Sequence, residues 1–247
     1  MNLPDETREP ACGSKMAVAA TPLKTPEYLK KIYWWAYEHP LAVKFWDRGF
    51  LINFILLGNY TRLGDAVLEE FPQPLTGTTL MNSAAYGQLI PRLQQQLGEG
   101  GRLDVIDILN VQLENIRRKL VQPDPRVALV QCNAAALNCA DASYDRVLVF
   151  FLPHELPQDV RRASMAEAFR VVKPGGQVVV VEFHNPKWWH PLRMYQRLVF
   201  ALFEPFATDM WRHEITHWLP QGLKYSVKKK TTYFGGLYQK LVLTRDQ

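Results

Sequence analysis

Polar side chains that could do chemistry stand in this chain at the ends of apolar runs, where they would meet a ligand rather than a core. The first group is the turn Met81-Asn82-Ser83-Ala84-Ala85-Tyr86-Gly87 within TTLMNSAAYGQLIPR. Its small residues let the backbone approach a ligand, and a helix starting there offers free N–H groups to a carboxylate or phosphate. Turns of this kind usually carry several glycines and an acid at the strand end. Here the acid is missing and Gly87 alone remains. Asp107 follows roughly 20 residues later, a spacing at which a carboxylate accepts both hydroxyls of a ribose; capping a helix near Asn110 is its plainer use. Asn133 follows RVALVQC, where an adenine edge could be read. His154 and Glu155 follow the apolar strand YDRVLVFFL, and Glu182 and His184 end QVVVVEF, with His190 close by. Strand alternation puts Glu182 and His184 on one face. That arrangement suits a shared metal with His154, or an acid–base pair. No spacing here is a known metal signature.

Such residues need a scaffold, and the pattern of the chain predicts one. From residue 76 to the end, runs such as TTLMN, RLDVIDI, RVALVQC, YDRVLVFFL and QVVVVEF alternate with amphipathic stretches such as NVQLENIRRKL and VRRASMAEAFRVV. Strands alternating with helices give βαβ units and a parallel sheet, hence an α/β, doubly wound fold. Ligands in such sheets bind at the carboxyl ends of the strands, where the residues named above lie. KYSVKKKTTYF and LYQKLVLTR, around Gly235-Gly236, predict a closing antiparallel hairpin.

The remaining segments have a different character. Residues 1–25 read as a disordered leader rich in Pro, Thr and Ala. Residues 26–75 read as two or three helices, and residues 186–222 as a helical insertion. Trp34, Trp35, Phe45, Trp46, Phe50 and Phe54 are more aromatic mass than one small helical cap needs, so either they fill a core or they form a greasy lid over a substrate. Lys228-Lys229-Lys230 reads as a solvated strand end.

Bulk properties narrow the partners. The chain has 247 residues, 47% hydrophobic and 21% charged, with a net charge of +5. Its longest apolar run, FLINFILL, falls far short of the roughly 20 residues that span a bilayer. The opening MNLPDETREP has no apolar core and reads as neither a secretory signal nor a transit peptide. Basic residues interleave with Trp188, Trp189, Tyr195, Phe206, Trp211 and Trp218, which either lie on an anionic membrane surface or roof the core, and which suit nucleic acid less well. No nucleic-acid motif appears.

With these pieces in place, the chain from about residue 76 resembles the class I S-adenosylmethionine-dependent methyltransferases. The matching residues are NSAAYG, VIDI, NAAALN with SYDRV, FLPHELP and, above all, EAFRVVKPGGQVVVVEF. That last run is most similar to the ubiquinone/menaquinone C-methyltransferases. The resemblance implies a seven-stranded sheet with an aromatic helical lid. It also implies that Asn82, Ser83, Ala85 and Gly87 hold the methionine end of the cofactor, Asp107 the ribose and Asn133 the adenine. The altered turn, the aromatic N-terminal helices and TYFGGLYQKLVL resemble the rhodoquinone biosynthesis methyltransferase-like (RquA) family. That resemblance implies a polyprenylated quinone substrate, with S-adenosylmethionine as amino donor and a divalent metal, manganese. The implied location is cytoplasmic and peripheral to the inner membrane. Tyr86, His154 and His184 are the expected catalytic residues, and His154, Glu182 and His184 the expected metal ligands.

Overall fold

A computed structural model describes residues 23–33 and 40–247, so Trp34, Trp35 and most of the expected leader lie outside the described residues. Seven strands form one sheet: β1 (Thr78–Met81), β2 (Arg102–Asp107), β3 (Val127–Gln131), β4 (Tyr144–Phe150), β5 (Val172–Phe183), β6 (Tyr225–Tyr233) and β7 (Tyr238–Arg245). They lie in the order β3-β2-β1-β4-β5-β7-β6. The first five pair in parallel, and β7 runs antiparallel between β5 and β6. The closing hairpin and the doubly wound sheet are therefore as the sequence predicts. Central strands are buried on both faces: Val178 to Val181, Val147 to Val149, Leu103, Val105 and Ile106 are all fully enclosed. This is why they read as continuous apolar runs rather than as alternations.

Before the sheet come α1 (Pro40–Trp46), α2 (Gly49–Ile55) and α3 (Tyr60–Leu68). Between and after the strands come α4 (Leu89–Gln95), α5 (Asn110–Lys119), α6 (Gln158–Val171), α7 (Arg193–Phe203) and the short α8 (Asp209–Arg212). The strand order reverses between β1 and β4, which opens the crevice where doubly wound sheets bind ligands.

Of the N-terminal aromatics named above, the four among the described residues, Phe45, Trp46, Phe50 and Phe54, do not fill a core. Phe45, Phe50 and Phe54 are exposed, while Trp46 turns into the crevice. In the insertion the aromatics divide. Trp218 is buried beneath the Arg161 guanidinium, 4.4 Å from its ring, whereas Trp188 and Trp189 are exposed. Trp218 thus roofs the core, because a stacked guanidinium covers its face. Lys228, Lys229 and Lys230 are exposed, as expected.

Candidate active site

A cavity of about 560 Å³ lies at the carboxyl ends of β1, β2, β4 and β5. One pole of it is the turn after β1. Asn82 is buried; its Nδ2 reaches Ser164 Oγ at 3.4 Å, and its Oδ1 has no hydrogen-bond partner. Ser83, Ala84, Ala85 and Tyr86 continue the wall, with the Tyr86 hydroxyl accepting from Gln112 Nε2 at 3.0 Å. Asp107 ends β2 beside them. Its Oδ2 accepts the Ala84 N–H at 3.0 Å and its Oδ1 the Leu109 N–H at 2.8 Å. Desolvation pushes this carboxyl up to about 6, against the pull of those backbone donors. Asn133 also faces the cavity, its Oδ1 accepting the Ala135 N–H at 2.9 Å.

Helix α4 begins only at Leu89, so the N–H groups of the turn belong to a loop rather than to a helix end. Gly87 does not line the cavity. It adopts φ +77°, and a Cβ there would lie 2.5 Å from the Tyr60 ring and hydroxyl. Glycine is needed at this position for Tyr60 to close against the turn, not for a ligand to approach. Gly87→Ala is expected to destabilise the fold by at least about 1–3 kcal/mol from backbone strain alone. The urea midpoint reads this, and a variant as stable as the parent would contradict it.

The second pole follows β4. Phe151 holds φ +52°, uncommon for a bulky residue, and swings the chain into the turn that presents His154. His154 is buried. Its Nδ1–H donates to Glu182 Oε1 at 2.9 Å, and its backbone N–H to Glu182 Oε2 at 3.1 Å. The Phe183 N–H completes the grip on that carboxylate at 2.6 Å. His154 Nε2 is left toward Glu155, 4.0 Å away. Burial pulls the imidazole pKa down, but Glu182, with Glu204 and Glu155 behind it, pushes it up to about 9. The carboxylates around His154 thus favour its imidazolium form.

Glu204, just past α7, joins this pole by accepting a hydrogen bond from the Tyr33 hydroxyl at 2.7 Å. Burial raises its carboxyl above the usual range while the His154 cation opposes that rise. Sequence reasoning passed over both residues. Glu204 is the one acid in LVFALFEPF, and that was its signal; nothing local marks Tyr33.

His184 is placed elsewhere. Strand β5 ends at Phe183, so alternation no longer governs the next side chain. Its Nδ1–H donates to the Gly236 carbonyl at 2.8 Å, and its Nε2 lies 3.8 Å from Glu214. Among the described residues no group of three His, Cys, Asp or Glu could hold a metal ion. The expected trio of His154, Glu182 and His184 does not converge on one point, and no step below runs through a metal.

Comparison with known proteins places this geometry. Residues 83–176 match the family model described as a methyltransferase domain. The chain is 31% identical over 159 residues to the ubiquinone/menaquinone biosynthesis C-methyltransferase UbiE of Nitrosospira multiformis, covering 63% of each chain. It is 32% identical over 113 residues to the UbiE of Klebsiella pneumoniae, covering 44% of each. The chain therefore spans less than two thirds of the curated relatives it matches. Among solved structures it is similar to the N-methyltransferase NodS of Bradyrhizobium japonicum in complex with S-adenosyl-L-homocysteine, at a TM-score of 0.53 and 11% identity over 76% of this chain and 87% of that one. It is also similar to the 1,6-didemethyltoxoflavin-N1-methyltransferase of Burkholderia thailandensis, at a TM-score of 0.52 and 14% identity over 93% and 94% of the two chains. Strand order, crevice and likenesses agree: the chain has the α/β class I methyltransferase fold.

Proposed function

We propose that the protein is an S-adenosylmethionine-dependent transferase acting on the ring of a polyprenylated quinone, and that the group it transfers is the cofactor's amine. On this reading it converts ubiquinone to rhodoquinone, an amino group replacing a ring methoxy group. The cavity suits the cofactor. Asp107 stands where ribose hydroxyls would donate, Asn133 beside the adenine position, and Asn82 Oδ1 is a buried acceptor without a donor. S-adenosylmethionine, when bound, supplies the nitrogen.

The observation that carries the amination reading is Asn82. The turn of residues 82–87 has no acidic side chain, and an asparagine oxygen sits buried on the cavity wall instead. A carboxylate there would hold an amine as ammonium, because an opposite charge raises its pKa. A neutral amide accepts an N–H without that penalty and leaves the nitrogen lone pair free to attack. At the other pole, the His154 Nε2–H is placed to donate to a quinone oxygen as negative charge develops there. The same proton can accompany the methoxy group as it leaves as methanol, and release of a free aminoquinone further requires cleavage of the nitrogen's bond to the cofactor's α-carbon, whose carbon skeleton leaves as the by-product. Glu204 and Tyr33 close that end of the cavity.

A ring with a long apolar tail also accounts for the cavity mouth. Phe54 and Ile55 of α2, and Tyr195 and Phe203 of α7, both line the cavity and stand exposed. Leu41 of α1, Phe50 of α2 and Met194, Leu198 and Leu202 of α7 are exposed as well, as are Arg48, just before α2, and Arg197 of α7. No described helix is long and apolar enough to cross a membrane. The surface suits peripheral docking on an anionic bilayer, from which the quinone would enter directly. Phe50→Ser and Leu198→Ser are each expected to weaken co-sedimentation with phosphatidylglycerol vesicles by roughly tenfold, since burying one such side chain is worth about 1.5–3 kcal/mol. Unchanged binding of the double variant would remove this part of the reading.

Conventional methyl transfer to a quinol ring is the second reading, favoured by the similarity to UbiE proteins. Parallel incubations with S-adenosylmethionine and either ubiquinone or a quinol bearing one unsubstituted ring carbon, followed by mass spectrometry, separate the two: an aminoquinone from ubiquinone supports the first, and a methylated ring on the quinol supports the second.

A further inference from the structure

The turn that forms the cofactor pole is held by groups to which the proposed chemistry gives no role. Asp47 Oδ1 accepts the Gly87 N–H at 2.6 Å and also a proton of Lys119 Nζ at 2.8 Å. Lys119 Nζ donates in turn to the Gly87 carbonyl at 2.8 Å. One ion pair thereby satisfies both backbone polar groups of one residue. Its side chains are 8% and 13% exposed, so the contacts are shielded from water. Tyr60 adds a second hold, its hydroxyl donating to the Tyr86 carbonyl at 2.6 Å and accepting the Leu89 N–H at 3.3 Å.

These groups come from three separate segments of the chain. Lys119 ends α5, Tyr60 opens α3, and Asp47 directly follows α1. The stretch that carries Asp47 also supplies the apolar side of the cavity, through Trp46, Ile52, Phe54 and Ile55. The turn supplies the cofactor side, through Asn82 to Tyr86. Asp47 is thus the covalent neighbour of one wall and the hydrogen-bonded anchor of the other.

We propose that Asp47 and Lys119 are positioning residues that couple the two walls: a cofactor that orders the turn also locks α1 and α2 over the acceptor side, so cofactor and apolar substrate each strengthen the binding of the other. The inference rests on the reading of the cavity as an S-adenosylmethionine site. A buried ion pair kept only for stability gives no such coupling, and such pairs are weak stabilisers because desolvation offsets their attraction. Coupling between two ligand sites typically amounts to about 5–150-fold in affinity.

The test uses the full chain, with S-adenosylhomocysteine as ligand, calorimetry for affinity and amide hydrogen exchange for residues 40–57. In the parent protein the ligand is expected to slow exchange in that stretch by about tenfold or more. Asp47→Ala and Lys119→Met are expected to weaken ligand binding by about tenfold and to abolish that protection even at ligand saturation. Asp47→Asn keeps an oxygen for the Gly87 N–H and is expected to recover most of the affinity, which also covers an alanine variant that folds poorly. If Asp47→Ala binds as the parent does, or if the ligand leaves exchange of residues 40–57 unchanged in the parent, the coupling does not exist. A parent protein that binds no S-adenosylhomocysteine overturns the cofactor reading itself, and this inference with it.

Discussion

His154→Ala is expected to lower kcat by about 10²–10⁴-fold, the usual contribution of a positioned proton donor, while S-adenosylhomocysteine binds within a few-fold of its parent affinity. The asymmetry follows from the layout of the cavity. His154 belongs to the pole after β4, and the cofactor turn, Asp107 and Asn133 belong to the ends of β1, β2 and β3. Its protonation can be followed with pH. Burial disfavours the imidazolium, but Glu182, Glu204 and Glu155 together hold it charged up to about pH 9. Activity should therefore decline as pH rises through about 9, with loss of one proton. The folded-state value lies above the ordinary histidine range, so the stability this pair contributes is fully present below about pH 6.5. It is lost as pH rises through about 9. Glu182→Gln removes the largest contribution raising that value and should move the alkaline limb of kcat/KM to lower pH. A flat profile through pH 10, or an alkaline limb unmoved in the glutamine variant, would show that His154 is not the donor.

Asn82→Asp is expected to suppress amine transfer by about 10²–10³-fold. A carboxylate and an ammonium about 4 Å apart, at an effective dielectric near 20, attract by about 4 kcal/mol, equivalent to about 3 pKa units. Each unit removes a factor of ten from the neutral, nucleophilic amine. Asn82 is almost fully buried, so solvent does little to screen the new charge. Cofactor affinity should hold or rise, since the introduced acid pairs with the ammonium. Methyl transfer, if the chain retains any, should not fall with it. Single-turnover rates of aminoquinone formation decide the matter: a rate unchanged in Asn82→Asp would mean that the neutral turn does not select the amine.

Much of this architecture is legible in the residues themselves. β1, β2, β4 and β5 are largely buried on both faces, β4 and β5 through the unbroken apolar runs Val147–Phe150 and Val178–Val181. Their carboxyl ends mark where Asn82, Asp107 and His154 meet one cavity, with Asn133 joining them just past β3. Asp107 shows how two local readings can describe one side chain: its Oδ1 accepts a backbone N–H at the start of α5, while its Oδ2 holds the cofactor turn. What stayed hidden depends on partners far along the chain. Gly87 reads as a ligand glycine until Tyr60, from another helix, is seen packed against it. His184 follows Glu182 by two residues, as a shared face requires, but the strand stops between them and the ring turns to Gly236. Tyr33 and Glu204 meet across 171 residues, a contact no periodicity encodes. The exposure of Phe50 and Phe54 was equally unreadable, because a helix with one apolar face looks the same whether that face meets a core or a lipid surface.

The most direct measurement uses S-adenosylmethionine carrying heavy nitrogen at its α-amine, incubated with purified protein and ubiquinone, with the quinones then weighed by mass spectrometry. Proposed amine donation predicts an aminoquinone bearing the heavy nitrogen and lacking one methoxy group. An aminoquinone without the heavy nitrogen, or an unmodified quinone from protein that demonstrably binds the cofactor, would contradict it.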